Sequence, residues 1–360
     1  MTAKKTKTNN DNALVAAVDL FCGVGGLTCG LQRAGIEVKL GVDIDPNCRF
    51  PFEANNKARF SQKSVAEVTP QEIKLAWGEA QYKLLAGCAP CQPFSTYSQA
   101  WDPTTDHRWA LLLDFARLVC KTKPDFVTME NVPRLQRQGV FRDFVDSLER
   151  DGFRVSFSVV NCVDYGVPQF RRRLVLLASR LGTITLIPSR RRPTDRLSVR
   201  QAISGLPPLS AGEICHDDAL HQSCTLSDLN YARIKASKPG GTWKDWPKRL
   251  LADCHTKTTG DGYVSVYGRM TWDDPAPTVT TQFYAFGSGR FGHPNQNRAI
   301  SLREGAILQS FPKGYKFVPR GKPIHTTVVG RLIGNAVPVK LGEAIGRSVI
   351  AHIAERGDSS

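Results

Sequence analysis

Short apolar runs alternate with segments of helical period through the first half of the chain. The runs are rich in β-branched residues and end at turn residues, which is typical of buried strands. Strands are predicted at 13–21, 38–45, 82–87, 125–131, 154–162 and 173–179, with helices between them at 26–35, 46–55, 70–78, 106–122 and 141–152. This order predicts a doubly wound α/β sheet of parallel strands, whose ligands bind where the strands end.

The alternation stops near residue 181. The stretch 189–200 holds five arginines in twelve positions, and the chain to about residue 268 is rich in Pro, Gly, Trp and Lys without a clear period. Helical patterning returns at 301–311 and 337–357. We therefore expect four parts: a disordered basic arm at 1–12, a sheet domain at 13–180, a smaller irregular lobe at 181–300, and a helical return at 301–360 that completes the sheet domain.

Charge narrows the class of partner. Lys and Arg exceed Asp and Glu by 15, which favours a polyanion such as nucleic acid because binding releases its counterions. No stretch approaches the roughly 20 apolar residues of a membrane span, and the Lys-rich start does not resemble a signal peptide. We expect an intracellular protein without a membrane partner, in which the ten cysteines are reduced and mostly buried.

A glycine turn follows the first predicted strand. In DLFCGVGGLTCG, Gly23, Gly25 and Gly26 allow a sharp bend and close approach of a ligand to a helix N-terminus. Thr28 stands where a dinucleotide fingerprint has its third glycine, which weakens the case for a nicotinamide cofactor. Asp43, twenty positions after Gly23, can accept hydrogen bonds from ribose. The pattern favours a nucleoside cofactor such as S-adenosylmethionine, and a purely structural glycine turn is the alternative.

Two cysteines, Cys88 and Cys91, follow the strand at 82–87. A redox pair lacks a thioredoxin-like context here. A zinc site needs further ligands, and the nearest set contains adjacent Cys and His that do not easily converge on one ion; that set is Cys215, His216, His221 and Cys224. We therefore predict no metal and favour one nucleophilic thiol. The alternative is that the cysteine is buried and chemically inert.

Charged residues mark two later strand ends. Glu130 ends the strand at 125–131, on the same edge as Cys91, where a carboxyl group can act as a general acid toward a ring nitrogen. Gln169, Arg171 and Arg173 alternate, so their side chains share one face, and two guanidinium groups there can hold a phosphate or support a thiolate. A helix-capping acid and a solvated basic strand are the alternatives.

Taken together, these motifs resemble the cytosine-C5 DNA methyltransferase family, including its bacterial restriction-modification members. They occur in the family's order as DLFCGVGG, VDIDP, APCQPFS, ENV, QFRRR, SLREGAILQSFP and GNAVPVKLGEAIG, over roughly residues 15–180 and 265–350. The resemblance implies a Rossmann-like S-adenosylmethionine-dependent sheet at 13–180 as the catalytic and cofactor-binding domain, and a target-recognition region at 181–300. It also implies DNA methylation by base flipping.

The resemblance also implies roles for individual residues. Cys91 adds to C6 of a flipped cytosine, Glu130 engages N3 and the exocyclic amine, Arg173 steadies the base, and Arg171 lies near the thiol. The implied cofactor contacts are Phe21, Gly23, Gly25, Gly26, Leu27, Asp43 on the ribose, Ile44 on the adenine, Ser64, Pro90, Asn335 and Val337. The expected DNA contacts are Gln92, Ser95, Gln169, Arg190, Arg191 and Arg192.

The chain departs from the family pattern at several positions. Ser64 stands where an acid usually faces the adenine amine, and Cys88 and Ala89 replace the common Gly and Pro. The short second lobe leaves the recognised sequence open. A tRNA cytosine methyltransferase of the same fold, a catalytically silent nucleic-acid-binding protein and a NAD-linked dehydrogenase are the alternatives. We expect a cytoplasmic, nucleoid-associated monomer acting on double-stranded DNA, with a restriction endonuclease as a possible partner.

Overall fold

A seven-stranded sheet forms the centre of the protein. The computed structural model describes residues 13–89, 108–189, 192–257 and 264–357. The strands are β1 (Val15–Leu20), β2 (Glu37–Asp43), β3 (Arg59–Gln62), β4 (Tyr82–Gly87), β5 (Phe126–Asn131), β6 (Arg154–Asn161) and β7 (Arg172–Ser179). Their spatial order is β3-β2-β1-β4-β5-β7-β6. The predicted doubly wound sheet is confirmed, and β3 is a strand that the pattern missed.

The sheet is mixed, which corrects the prediction of parallel strands throughout. The neighbours from β3 to β5 are parallel, whereas β7 runs antiparallel to both β5 and β6. A parallel crossover needs a dozen or more residues, usually including an α-helix. Only residues 162–171 join β6 to β7, and they contain one short 3-10 turn. The connection is therefore too short for anything but an antiparallel return.

Helices cover both faces of the sheet and build the second half of the chain. They are α1 (Gly26–Arg33), α2 (Arg49–Asn55), α3 (Pro70–Trp77), α4 (Arg108–Thr122), α5 (Gly139–Arg150), α6 (Val199–Ile203), α7 (Asp228–Ala236), α8 (Leu302–Leu308), α9 (Thr326–Asn335) and α10 (Val339–Gly357). Local signals fix several ends. Thr69 and Glu72 form a capping box in front of α3, and Gly35 adopts a φ of 90° just after α1.

Two hydrophobic layers sandwich β1, and every residue of this strand is buried. Ala16, Val18 and Leu20 face the layer that contains Trp77 and Phe115. The alternate residues Val15 and Ala17 face the opposite layer, where Leu31 of α1 meets Leu341 and Ile345 of α10. The C-terminal helix thus packs on the sheet formed by the first half of the chain.

The second lobe has its own small core and is joined to the C-terminal helices by a buried ion pair. Trp243, Trp246 and Ile234 pack together in the lobe. Arg298 is fully buried and donates two hydrogen bonds to Glu304 of α8, at 2.7 and 2.8 Å. No helix in the described part of the chain combines the length and apolar character needed to cross a membrane. The domain boundaries stay a prediction.

Candidate active site

A cavity of about 340 Å³ opens where β1, β2, β3 and β4 end. The strand order reverses between β1 and β4, and such a reversal creates a crevice at the carboxyl edge of the sheet. The end of α9 and the residues after it close the other side. The predicted cofactor residues that line the cavity are Phe21, Gly23, Leu27, Asp43, Ile44, Ser64, Asn335 and Val337.

The turn after β1 and the end of β2 are tied together by Asp43. Its carboxylate accepts hydrogen bonds from the backbone N–H groups of Gly23 and Asp45, both at 2.9 Å. Burial raises the pKa of Asp43 above its ordinary value, while the two N–H donors oppose that rise. Beside it Ile44 leaves 69% of its surface exposed. A polar hydrogen-bonding group and an uncovered apolar surface therefore lie side by side.

Phe21 bends the chain into the cavity. Its φ is 58°, a left-handed conformation that is strained for a bulky residue and that clusters at functional sites. Ser64 lines the cavity too, and its hydroxyl accepts a hydrogen bond from Ala66 N. The side chain of Ser64 is thereby partly committed to its own turn.

Gly25 and Gly26 are not among the residues that line the cavity, and their contact with the cofactor stays a prediction. A Cβ on Gly25, whose φ is 86°, would lie 2.4 Å from Nδ2 of Asn56. A Cβ on Gly26 would lie 2.2 Å from the carbonyl oxygen of Val337. The two glycines let α1 pack closely against neighbouring chain segments, and they shape the cavity without facing it.

Asp19 is a lining residue that sequence reasoning missed. It is fully buried, and burial raises its pKa to about 7 although Thr28 donates a hydrogen bond to Oδ2 at 2.6 Å. Its other oxygen, Oδ1, has no hydrogen-bond partner among the described residues. A single acid in the otherwise apolar strand VAAVDL was the available signal.

An ion pair between distant segments also borders the cavity. Arg331 of α9 lies 2.8 Å from Asp45, and both residues line the cavity. Asp45 has a lowered pKa: burial would raise it, but hydrogen bonds from Asn47 and Arg331 outweigh that effect. The pattern missed this pair because α9 itself was not predicted and because the partners are far apart in sequence.

Three neighbouring strands bring Cys88, Glu130 and Arg173 into one row. Glu130 of β5 is 3% exposed. Its Oε2 lies 3.0 Å from Sγ of Cys88, and its Oε1 lies 2.9 Å from Nε of Arg173. The guanidinium approaches as an ion pair, and Oε1 receives no hydrogen bond from the described residues. Cys88 also lines the cavity, so this row borders it directly.

Arg171 and Gln169 are buried in the junction between β7 and the C-terminal half. Arg171 is 3% exposed and donates hydrogen bonds to the carbonyl oxygens of Val279 and Gly334. Gln169 is fully buried. Its amide donates to Leu308 O and Gln309 Oε1, and its oxygen accepts from Val279 N. The expectation that Gln169 contacts nucleic acid is therefore wrong, because its hydrogen-bonding groups are engaged inside the protein.

Several predicted site residues lie outside the described residues, namely Pro90, Cys91, Gln92, Ser95, Arg190 and Arg191. Arg192 is described, and its side chain is 81% exposed beside Asp195. His221 belongs to the Cys and His set at 215–224. It is buried and hydrogen-bonded to Ser301 and to the carbonyl of Pro207. No cluster of metal-ligating side chains occurs in the ranges that the structure describes.

Known proteins match this chain over nearly its whole length. The model of the family described as C-5 cytosine-specific DNA methylase matches residues 15–351. The chain belongs to the C-5 cytosine-specific DNA methylase family. The Type II methylase M.HgiDII of Herpetosiphon aurantiacus is 49% identical to this methylase, covering 93% of this chain and 94% of the relative.

More distant relatives also match this chain over most of its length. The Type II methyltransferase M1.HphI of Haemophilus parahaemolyticus is 32% identical to this methylase, covering 92% of this chain and 86% of the relative. A prophage-encoded E. coli protein, proposed to be a DNA modification methyltransferase, has a solved structure that matches with a TM-score of 0.72 at 22% identity. That match covers 94% of this chain and 99% of the other, and it shows the fold.

Family membership confirms the predicted reaction class. The protein is a DNA (cytosine-5) methyltransferase. The dehydrogenase alternative is thereby removed, consistent with the incomplete glycine fingerprint at Thr28. The roles of individual site residues are a separate question, since membership in a family does not by itself assign them.

Proposed function

We propose that this methylase transfers a methyl group from S-adenosylmethionine to C5 of a flipped cytosine in duplex DNA, through a bond between Cys91 and C6 of the base. One observation carries the proposal. The acid of the ENV motif, Glu130, is paired with Arg173 beside a cavity built from the glycine turn and Asp43. Cys91 follows Ala89, which lines that cavity, by two positions in sequence.

The cavity residues fit S-adenosylmethionine. Asp43 would accept hydrogen bonds from the ribose hydroxyls, and the uncovered side chain of Ile44 would pack on the adenine. Oδ1 of Asp19, which has no hydrogen-bond partner among the described residues, would accept from the ammonium group of the methionine portion. When bound, the cofactor supplies an electrophilic methyl group on a sulfonium sulfur.

The chain's own residues would make C5 of the cytosine reactive. The Cys91 thiolate forms a bond to C6, and the electron pair of the C5–C6 double bond becomes available at C5 to bond the methyl carbon. Glu130 donates a proton to N3, with Arg173 holding the carboxyl group in place. Loss of the C5 proton to a base then returns an electron pair to the ring and expels the thiolate, and the proton on N3 returns to Glu130. The target must leave the helix, because C6 is inaccessible within the stack.

Duplex DNA is favoured over tRNA as substrate by the segment at 181–268, which carries arginines and aromatic residues, because phosphate contacts position a protein on a duplex and a few side chains read the bases. The relatives M.HgiDII and M1.HphI are Type II enzymes by name. By analogy we propose a restriction-modification role with a cognate endonuclease, a monomeric enzyme, and a location beside the bacterial nucleoid.

Labelled S-adenosylmethionine tests the substrate and the nucleophile together. We expect incorporation into plasmid DNA and none into bulk tRNA, with no incorporation by the variant Cys91→Ser. Cys120→Ala is the matched control, since Cys120 is an exposed cysteine on α4, and it should retain wild-type incorporation. An oligonucleotide with 5-fluorocytosine at the modified site should trap the protein, and peptide mapping should find the adduct on Cys91. Turnover by Cys91→Ser, or an adduct elsewhere, would refute the assignment.

A further inference from the structure

The row of Cys88, Glu130 and Arg173 contains one residue that the proposed reaction does not use. Cys88 occupies a position where the family commonly has Gly, so its thiol is a feature of this chain. It follows the last residue of β4, and its backbone N–H donates to Leu20 O at 3.2 Å. Gly87 pairs with Met129, so the next step of the same register places Cys88 beside Glu130.

The thiol of Cys88 and the guanidinium of Arg173 contact different oxygens of the Glu130 carboxyl group. Sγ of Cys88 donates toward Oε2 at 3.0 Å, whereas Nε of Arg173 lies 2.9 Å from Oε1. Holding Oε2 from the β4 side fixes the rotation of the carboxyl group about its last bond.

We propose that Cys88 is a positioning residue for methyl transfer, which holds Oε2 of Glu130 and thereby fixes the orientation of the carboxyl group beside the cavity. This rests on the proposed function of Glu130. The Cys88 thiol can donate a hydrogen bond, and Oε2 of Glu130 lies within reach to accept it.

Charged and titratable groups near Glu130 bear on how this contact is tested. Arg173 pairs with it directly, while Arg171 and Cys162 lie close by on the β7 side. None of these is altered when Cys88 is replaced. A change that follows a Cys88 substitution is thus assigned to the contact between Sγ and Oε2, provided that the fold and cofactor binding are intact.

The first test separates transfer from binding. In Cys88→Ala the single-turnover rate of methyl transfer should fall by about 5- to 10-fold, the effect of losing one hydrogen bond of ordinary strength. Cys88→Ser keeps a donor and should stay within about 2-fold of the wild type. Affinity for S-adenosylmethionine, measured by calorimetry, should be unchanged in both. A weaker affinity with an unchanged transfer rate would mean that Cys88 only lines the cavity, and the proposal would fail.

The second test does not depend on activity. The S–H stretching band of Cys88, isolated as the infrared difference between wild type and Cys88→Ala, should move to higher frequency when Glu130→Ala removes the acceptor. A band that stays in place would overturn the proposal. If the wild type did not methylate DNA, the proposed function would fail, yet the band would still report whether the contact exists.

The third test asks whether the two residues act as a unit. The loss caused by Cys88→Ala should disappear in a Glu130→Gln background, since the hydrogen-bonded carboxylate is gone there. Cys120→Ala serves as the matched control because its thiol is exposed on α4, away from the cavity lining. It should leave transfer rates unchanged in both backgrounds. Equal losses from Cys88→Ala in the two backgrounds would count against the proposal.

Discussion

Burial destabilises the charged form of two carboxyl groups at the cavity. Asp19 is fully buried, and its Oδ1 has no hydrogen-bond partner among the described residues. Asp43 accepts hydrogen bonds from two backbone N–H groups, while burial raises its pKa. Buried unpaired carboxyl groups disfavour their charged form, so the ligand-free protein keeps Asp19 largely protonated below neutral pH. This local instability is expected of a site shaped for a charged ligand.

The first prediction concerns stability against pH. The folded pKa of Asp19, about 7, lies above its ordinary value of 3.8. Such a group supports the fold at low pH, and that support is lost as pH rises from about 4 to 7, by roughly 4 kcal/mol in all. Urea unfolding of the ligand-free protein should therefore show Asp19→Asn gaining stability relative to wild type as pH rises through this window. A difference in unfolding free energy between Asp19→Asn and wild type that stays constant with pH would contradict this prediction.

At the scale of elements, the contact between α1 and α10 is made by glycines. A Cβ on Gly30 would lie 2.5 Å from Val339 O, from Glu343 N and from the carbonyl carbon of Gly342. Gly342 in turn approaches Leu27 and Gly30 of α1 closely. The helix from the end of the chain therefore docks on the helix that begins at the glycine turn, with backbone nearly touching backbone.

Gly30→Ala should destabilise the protein. The new methyl group meets backbone on α10, which cannot move aside as a side chain can, so we expect a loss of about 1–3 kcal/mol from overpacking. The matched control is Gly139→Ala, at the start of α5, where a Cβ meets nothing within 4 Å. The control should change stability by less than about 1 kcal/mol, in the stabilising direction. Urea midpoints of both variants decide the point, and equal values would refute the packing argument.

At the scale of the molecule, an excess of 15 positive charges is combined with a cavity on one edge of the sheet. The second lobe is fixed to the catalytic part by buried polar contacts, among them the Arg298–Glu304 pair and the bonds that Arg171 and Gln169 make to the C-terminal half. A lobe held in this way can present basic residues to a duplex at a defined orientation to the active site.

Neutralising Arg190, Arg191 and Arg192 together with Gln should weaken DNA binding. Each lost phosphate contact should flatten the plot of log K against log salt by about 0.9. A matched control neutralises Lys121, Lys123 and Arg150, which lie at the edge where β5 and β6 begin, opposite the cavity. Fluorescence anisotropy at several salt concentrations should show a flatter slope for the arginine variant alone, with cofactor affinity unchanged in both. Identical slopes would place the arginines away from the DNA.

The sequence by itself determined the doubly wound sheet, most of its strands and helices, and the motifs that mark the family. These follow from local causes: the period of apolar side chains, glycine in turns and capping residues at helix ends. It missed β3 and α9. It also placed Gln169 at the nucleic acid, because a motif shows which residues are present and not which way they face.

Only the tertiary structure decided how distant segments meet. It joined Arg331 to Asp45 at the cavity, buried Gln169 against α8, and laid the thiol of Cys88 against Glu130. Each of these contacts depends on packing between parts of the chain whose separation in sequence carries no periodic signal. Burial also sets the pKa of Asp19, because the surroundings that exclude water are assembled from several segments at once.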